Sequence, residues 1–109
     1  MLINMLYSKI HRAKVTECEL GYNGSMGIDK DIMEQAGLVQ GQQIDVLNVN
    51  NGERFTTYVI EAPRGSKTFG IYGAAARLAQ TGDIVIIIAY AAMTQEEAND
   101  YTPRLVFME

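Results

Sequence analysis

The chain has 109 residues, 48% of them hydrophobic and 20% charged, and its nine Lys or Arg against thirteen Asp or Glu give a net charge of −4. This composition is typical of one globular domain, and the acidic balance argues against a nucleic-acid partner or an anionic membrane surface. A single cysteine and a single histidine exclude an internal disulfide and a cluster of soft metal ligands, so no metal site is predicted.

The amino-terminal residues lack the basic flank and long apolar stretch of a signal peptide. The longest apolar run, residues 84–93, is about half of what a membrane helix needs. We therefore expect a cytoplasmic protein with no membrane partner, built as a single domain over residues 1–109.

The first predicted elements are a strand over residues 2–15, a loop through Ser25, and a short helix. Asp29 can cap the start of this helix, and Gly37 can end it, because glycine adopts the left-handed conformation of a helix terminus without strain.

The middle of the chain predicts a hairpin. Residues 44–50 and 53–60 have the pattern of strands, and Asn51 and Gly52 between them are typical of a tight hairpin turn. The remaining predicted elements are a strand over 68–72, a small helix over 74–80 that stops at Gly82, a strand over 84–88 buried on both faces, a helix over 95–99 with a Thr94–Glu97 capping box, and a strand over 104–108. Short strands with small helices between them indicate a compact barrel.

The dipeptide Gly24-Ser25 permits two interpretations. A glycine offers an unhindered carbonyl and a permissive backbone to the hydroxyl of the next residue, which suits a peptide bond that is to be cleaved. Gly-Ser is also common in ordinary turns, and the local sequence by itself favours the turn.

Four basic side chains lie within six residues of this acidic protein: Lys9, His11, Arg12 and Lys14. On a strand, Lys9 and His11 share one face. They could protect a solvated sheet edge, or they could form an anion pocket to which Arg54 adds a carboxylate clamp. Cys18 has no second thiol beside it and is predicted to be a small buried hydrophobic residue.

The segment 54–58 supplies a cation, hydroxyls and the Tyr58 phenol, which are groups that can hold an anion, stabilise an oxyanion and move a proton. Thr and Tyr also favour strands, so sheet propensity explains the same pattern. The small residues from Gly73 predict bare backbone at a helix start, which suits either a carboxylate or tight packing.

Taken together, these segments resemble the pyruvoyl-dependent aspartate 1-decarboxylase family over most of the chain. The matching segments are MLYSKIHRA (5–13), YNGS (22–25), NGERFTTY (51–58), RGS (64–66), GAAA (73–76) and GDIVI (82–86). Their order and spacing make the resemblance specific. It implies a mainly β protein with a double-psi β-barrel and small helices, assembled as a homotetramer; whether a separate maturation protein assists it is left open.

The resemblance implies that the chain cuts itself between Gly24 and Ser25 into residues 1–24 and 25–109, and that Ser25 becomes a covalent pyruvoyl cofactor. This ketone would form a Schiff base with L-aspartate and accept electrons as carbon dioxide leaves, giving β-alanine for pantothenate and coenzyme A synthesis. The alternative is a non-catalytic barrel that binds ligands or protein partners.

The resemblance also implies roles for individual residues. Tyr58 would donate a proton, and Thr57 would assist both substrate binding and the oxyanion of self-cleavage. Lys9 and Arg54 would bind the substrate carboxylate, the backbone of Gly73, Ala74 and Ala75 would line the pocket, and His11, Tyr22 and Tyr72 are further candidates.

Two points distinguish this chain from a simple application of the family pattern. Family members commonly carry asparagine where this chain has Tyr72. On a regular strand, Arg54 and Tyr58 share a face and Thr57 points away, so we expect either a bulge or twist in the strand or a site built by two subunits. We predict that Lys9 and Tyr58 reach Ser25 from different chains or from opposite walls.

Overall fold

Eight strands, two α-helices and one 3-10 helix make up the fold in the computed structural model, which describes residues 1–108. In chain order they are β1 (Ile3–Lys14), β2 (Glu17–Glu19), β3 (Ser25–Asp29), α1 (Lys30–Ala36), β4 (Gln43–Asn48), β5 (Arg54–Ala62), β6 (Phe69–Tyr72), the 3-10 helix (Gly73–Arg77), β7 (Ile84–Met93), α2 (Gln95–Asp100) and β8 (Arg104–Phe107). The protein is therefore mainly β with small helices, as predicted.

The strands form one sheet in the order β2-β6-β3-β5-β4-β7-β1-β8. The chain passes directly from β1, near one edge, to β2 at the other edge, so these edges must approach each other. Backbone hydrogen bonds at the crossing support this: Val15 donates to Asp83 at 2.9 Å and Thr16 donates to Phe69 at 2.8 Å. The curved sheet thereby closes into a barrel.

The barrel interior is filled by aliphatic side chains from the inward faces of the strands. Side chains alternate between the two faces of a strand, so one face of each contributes to the core. At most 1% of the surface of the following core residues is exposed: Ile10, Met26, Ile28, Val46, Val59, Ile71, Val85 and Ile87. The opposite faces of β1 and β5 carry exposed or half-buried side chains, whereas β3 is buried along its whole length.

Helix α1 begins and ends as predicted. The Asp29 side chain accepts a hydrogen bond from the Asp31 N–H at 2.9 Å, and Gly37 ends the helix with φ 70°. Asp29 also accepts bonds from the N–H groups of Gly65 and Lys67 at 3.0 and 2.7 Å. Burial raises the pKa of Asp29, but these bonds outweigh burial, so the pKa is lowered overall. The carboxylate thus joins α1 to the loop before β6.

The capping box of α2 is also confirmed, because Thr94 accepts from the Glu97 N–H and Glu97 accepts from the Thr94 N–H. No helix within residues 1–108 is long and apolar enough to cross a membrane.

The prediction of a loop that extends through Ser25 is wrong, because β2 lies within this segment and Ser25 is the first residue of β3. Both strands are short and pair with β6, which lies more than 40 residues further along the chain. A pattern read over neighbouring residues contains no signal of such a partner. Cys18 lies on β2 and is half-buried, less buried than predicted.

Other elements also differ from the prediction in their bounds or type. The predicted tight turn at Asn51-Gly52 is a longer connection, 49–53, in which the Gly52 N–H donates to the Asn48 carbonyl at 2.8 Å. The predicted helix 74–80 is a 3-10 helix, and β7 extends to Met93, with its first residue, Ile84, only partly buried.

Candidate active site

Ser25 occupies a buried position on β3, the middle strand of three. Strand β6 pairs with β3 on one side and β5 on the other, with Ser25 opposite Tyr72 and Met26 opposite Val59. Only 3% of the Ser25 surface is exposed, and its Oγ donates to the Asn23 carbonyl at 3.4 Å. The serine that follows the exposed Gly24 is therefore held within the sheet, and its hydroxyl has one long hydrogen bond.

Strand pairing places a set of side chains on the face of the sheet that Ser25 occupies. Residues that lie opposite each other on neighbouring strands point to the same face. Tyr72 is opposite Ser25, and the Met26–Val59 pair puts Tyr58 beside Ser25 on the other flank. Ser25 therefore lies between two tyrosines, one on each neighbouring strand.

These side chains border a cleft of about 560 Å³, which we call the Ser25 cleft. Its lining residues are Gly21, Tyr22, Asn23, Ser25, Tyr58, Ile60 and Tyr72. Two of them stand partly in solvent, with Tyr22 61% and Tyr58 41% exposed. A small polar substrate could reach the buried serine through this opening.

The backbone of Gly73 lies against the residue that precedes Ser25. Gly73 has φ 76°, and a Cβ at this position would lie 2.7 Å from both the Cα and the N of Gly24. It would also lie 3.0 Å from the Tyr22 carbonyl oxygen. Only glycine satisfies both the left-handed conformation and this approach, so the 3-10 helix begins in direct contact with the predicted cleavage segment.

The other predicted pocket residues of this turn differ in position. Ala74 is exposed, while Ala75 is half-buried and packs against the core. Neither is among the residues that line the Ser25 cleft.

Neither Lys9 nor Arg54 lines the Ser25 cleft within one chain. Along the sheet order, four strand steps separate β3 from β1, although closure of the barrel brings the end of β1 to β6. Arg54 precedes Tyr58 by four residues on the same face of β5, about 13 Å along the strand. Within residues 1–108, neither side chain forms an ion pair.

Thr57 lies on the other face of β5 from Tyr58. The pairing of β4 with β5 is regular from Gln43–Tyr58 to Leu47–Arg54, so no bulge reorients the side chain. Of the explanations for the mismatch of Thr57 and Tyr58, a bulge is therefore wrong for this chain, and a site built by two subunits stays a prediction.

His11 packs edge-to-face against Phe107 of β8, with ring centroids 5.7 Å apart. Its Nδ1 is buried without a hydrogen-bond partner in the described residues. The basic cluster does not converge on one point, because Arg12 is exposed and lies at a register shift of β1 with φ 64°.

A second cleft of about 600 Å³ opens on the outer face of β4 and β7. It is lined by Asn4, Gln43, Ile44, Asp45, Ile88 and Tyr90. Lys9 pairs with Ile88, and Gln43 pairs with Tyr58, so this cleft lies between the predicted substrate cation and the predicted proton donor.

Tyr72 is seated over two glycines that the sequence analysis did not single out. Gly27 and Gly70 face each other on β3 and β6, and a Cβ on Gly70 would lie 2.2 Å from the Tyr72 hydroxyl. A glycine inside a strand signals a close approach, and this signal could have identified both. Burial, the charge of nearby Glu17 and its capacity to accept a hydrogen bond raise the pKa of Tyr72 to about 12.

Comparison with known proteins identifies the relatives of this chain. It is 57% identical over 109 residues to an aspartate 1-decarboxylase of Maricaulis maris, covering all of this chain and 90% of that protein. It is 54% identical over 109 residues to one of Caldicellulosiruptor saccharolyticus, of which 85% is covered.

A solved structure confirms the predicted fold. The crystal structure of the computationally designed protein msDPBB_sym2, a double-psi β-barrel, matches with a TM-score of 0.53 and 15% identity. The match covers 80% of this chain and 99% of the designed protein. The sequence profile of the aspartate decarboxylase family matches residues 1–109 in full, and the chain belongs to this family.

Proposed function

We propose that the protein is a self-processing aspartate 1-decarboxylase that converts L-aspartate to β-alanine and carbon dioxide for pantothenate and coenzyme A synthesis. Membership of the aspartate decarboxylase family supports the reaction. The observation that carries the proposal is the placement of Ser25, buried in β3 beside Tyr58, with the preceding Gly24 against the Gly73 backbone.

Self-cleavage begins with attack of the Ser25 Oγ on the Gly24 carbonyl carbon. The C–N bond breaks as the new C–O bond forms, so the amide becomes an ester and the Ser25 nitrogen takes up the hydroxyl proton. Loss of the Ser25 Cα proton then expels the Gly24 carboxylate. Water replaces the nitrogen of the resulting dehydroalanine, ammonia leaves, and residue 25 becomes a pyruvoyl group.

The surroundings of Ser25 fit such a group. A pyruvoyl group occupies no more space than the serine residue from which it forms, and the Ser25 side chain has a single hydrogen bond to give up. When formed, the ketone supplies an electron sink for the departure of carbon dioxide. Tyr58 lines the same cleft from the neighbouring strand. We assign to it the role of proton donor to the substrate carbon.

The substrate carboxylates are assigned to Lys9 and Arg54 of a neighbouring chain. Two observations within one chain support this assignment: neither side chain lines the Ser25 cleft, and Arg54 lies about 13 Å along β5 from Tyr58. Exposed Tyr58 and Tyr90 on the outer face provide apolar surface for a subunit contact, which the proposed homotetramer would supply. The role of Thr57 rests on the family resemblance alone.

Intact-mass spectrometry of the purified protein tests the proposal. We expect two polypeptides, residues 1–24 and 25–109, with residue 25 lacking its amine, together with β-alanine production from L-aspartate. A single full-length mass that persists after prolonged warming would contradict the proposal and favour the non-catalytic barrel.

Mixed assembly tests whether two chains build each site. We expect Lys9→Ala and Tyr58→Phe chains to be nearly inactive alone, and co-expression to restore about a quarter of the wild-type activity in randomly mixed oligomers. Activity returns because some sites combine the Lys9 of one chain with the Tyr58 of another. Co-expressed Ser25→Ala and Tyr58→Phe chains are the control and should stay inactive, since both residues lie beside each other in one chain. No recovery in the first mixture would place Lys9 and Tyr58 on the same chain.

A further inference from the structure

The ring of Tyr72 lies in a space that two glycines leave open. A Cβ on Gly70 would lie 2.2 Å from the Tyr72 hydroxyl oxygen and 2.5 Å from Cζ, and a Cβ on Gly27 would lie 3.0 Å from Cε2. Any side chain at Gly70 would therefore force the ring away. The glycine pair determines where this ring lies.

Glu17 closes the far end of the same space. Its Cγ would lie 3.1 Å from a Cβ on Gly70, so the carboxylate side chain and the phenol meet over one glycine. Burial and then the nearby Glu17 carboxylate raise the pKa of Tyr72, in agreement with this close approach. The Tyr72 hydroxyl thus lies over Gly70, which pairs with Glu17 on β2, and Tyr72 also lines the Ser25 cleft.

The ring of Tyr72 also packs against the ring of Tyr22, which lies two residues before Gly24. The two ring centroids are 5.5 Å apart with an interplanar angle of 48°, which is within the range of favourable aromatic pairs. Ser25 is held in β3, whereas residues 21–24 are exposed. The contact with Tyr72 is therefore a tertiary restraint on the segment that carries the carbonyl to be attacked.

We propose that Tyr72, seated over Gly27 and Gly70, is a positioning residue for self-cleavage, which holds the Tyr22–Gly24 segment against Ser25 through the Tyr22 ring. This rests on the proposed function of the chain. Attack requires the Ser25 hydroxyl and the Gly24 carbonyl in contact, so freeing the segment lowers the fraction of molecules ready to react. Tyr72 acts through Tyr22, and within residues 1–108 the Ser25 hydroxyl bonds to the Asn23 carbonyl and not to Tyr72.

A double-mutant cycle of Gly70→Ala and Tyr72→Ala tests the inference. Each single change should slow cleavage by about three- to tenfold, the value of an aromatic pair. The double variant should be no slower than Tyr72→Ala, because without the ring a Cβ at position 70 meets only the flexible Glu17 side chain, at 3.1 Å. Tyr72→Phe keeps the ring and should cleave within about twofold of the wild type. The inference would be overturned if the rate losses of the two single variants multiplied in the double variant, or if Tyr72→Ala cleaved at the wild-type rate.

Hydrogen exchange measured on uncleavable chains separates this inference from the proposed function. In the Ser25→Ala background, Tyr72→Ala and Gly70→Ala should speed amide exchange in residues 21–24 and leave exchange in β7 unchanged. Tyr72→Phe should not speed exchange in residues 21–24. Unchanged exchange in 21–24 would refute the restraint even if the wild type cleaves. A wild type that never cleaves would instead refute the proposed function, while faster exchange in the two variants would still support the contact.

Discussion

Replacing Ser25 with alanine is expected to leave a single polypeptide of 109 residues that produces no detectable β-alanine. The change removes the nucleophile of self-cleavage and, with it, the only source of the pyruvoyl group. The fold should persist, because the lost hydroxyl makes one long hydrogen bond of 3.4 Å, and the free energy of unfolding should change by no more than about 1 kcal/mol. Intact mass, a β-alanine assay and urea unfolding measure the three effects.

Ser8→Ala is the matched control for this experiment. Ser8 is as buried as Ser25, with 1% of its surface exposed, and its hydroxyl has no hydrogen-bond partner in the described residues. We expect this variant to cleave and to decarboxylate aspartate like the wild type. Cleavage in Ser25→Ala at the normal position would show that another group is the nucleophile.

The second large effect is expected from Gly73→Ala, which should slow self-cleavage by roughly a hundredfold. The new methyl group would lie 2.7 Å from the Gly24 Cα and N, so the segment before Ser25 must move. The left-handed backbone of residue 73 adds a cost of about 1–2 kcal/mol for a residue with a side chain. The cleavage rate is followed by intact mass, and stability by urea unfolding in the Ser25→Ala background.

Gly41→Ala separates the effect of the contact with Gly24 from the effect of strain in a left-handed backbone. Gly41 has φ 86°, but a Cβ there would meet nothing within 4 Å. This control should lose a similar amount of stability, about 1–2 kcal/mol, and keep its cleavage rate. If Gly41→Ala slowed cleavage as much as Gly73→Ala, lost stability would explain both results, and the contact between Gly73 and Gly24 would have no specific role.

Local signals predicted the elements whose partners are near in sequence. Asp29 and Gly37 delimit α1, and Thr94 with Glu97 caps α2, because capping involves groups within one helical turn. The long strands also follow their apolar pattern. In contrast, β2 and β3 escaped prediction, since three to five residues carry little pattern and their stability comes from pairing with β6.

The residues of the candidate site likewise include some that the sequence identified and some that it did not. Gly24, Ser25 and Tyr58 were identified from residue chemistry and from the order of the family segments. The seat of Tyr72 was not, because it depends on Gly27 and Gly70, which are 43 residues apart in sequence and become neighbours only through the pairing of β3 with β6. A glycine in a strand indicates a close approach but does not tell which atom approaches.

The sequence by itself determined the family, the mainly β character and the residue types of the reaction, because these depend on chemical groups and their order along the chain. The tertiary structure decided which groups meet. Strand pairing places Ser25 between Tyr58 and Tyr72 and brings Gly73 against Gly24, while Lys9 does not line the Ser25 cleft. These contacts come from pairings between distant segments, so no local pattern could have specified them.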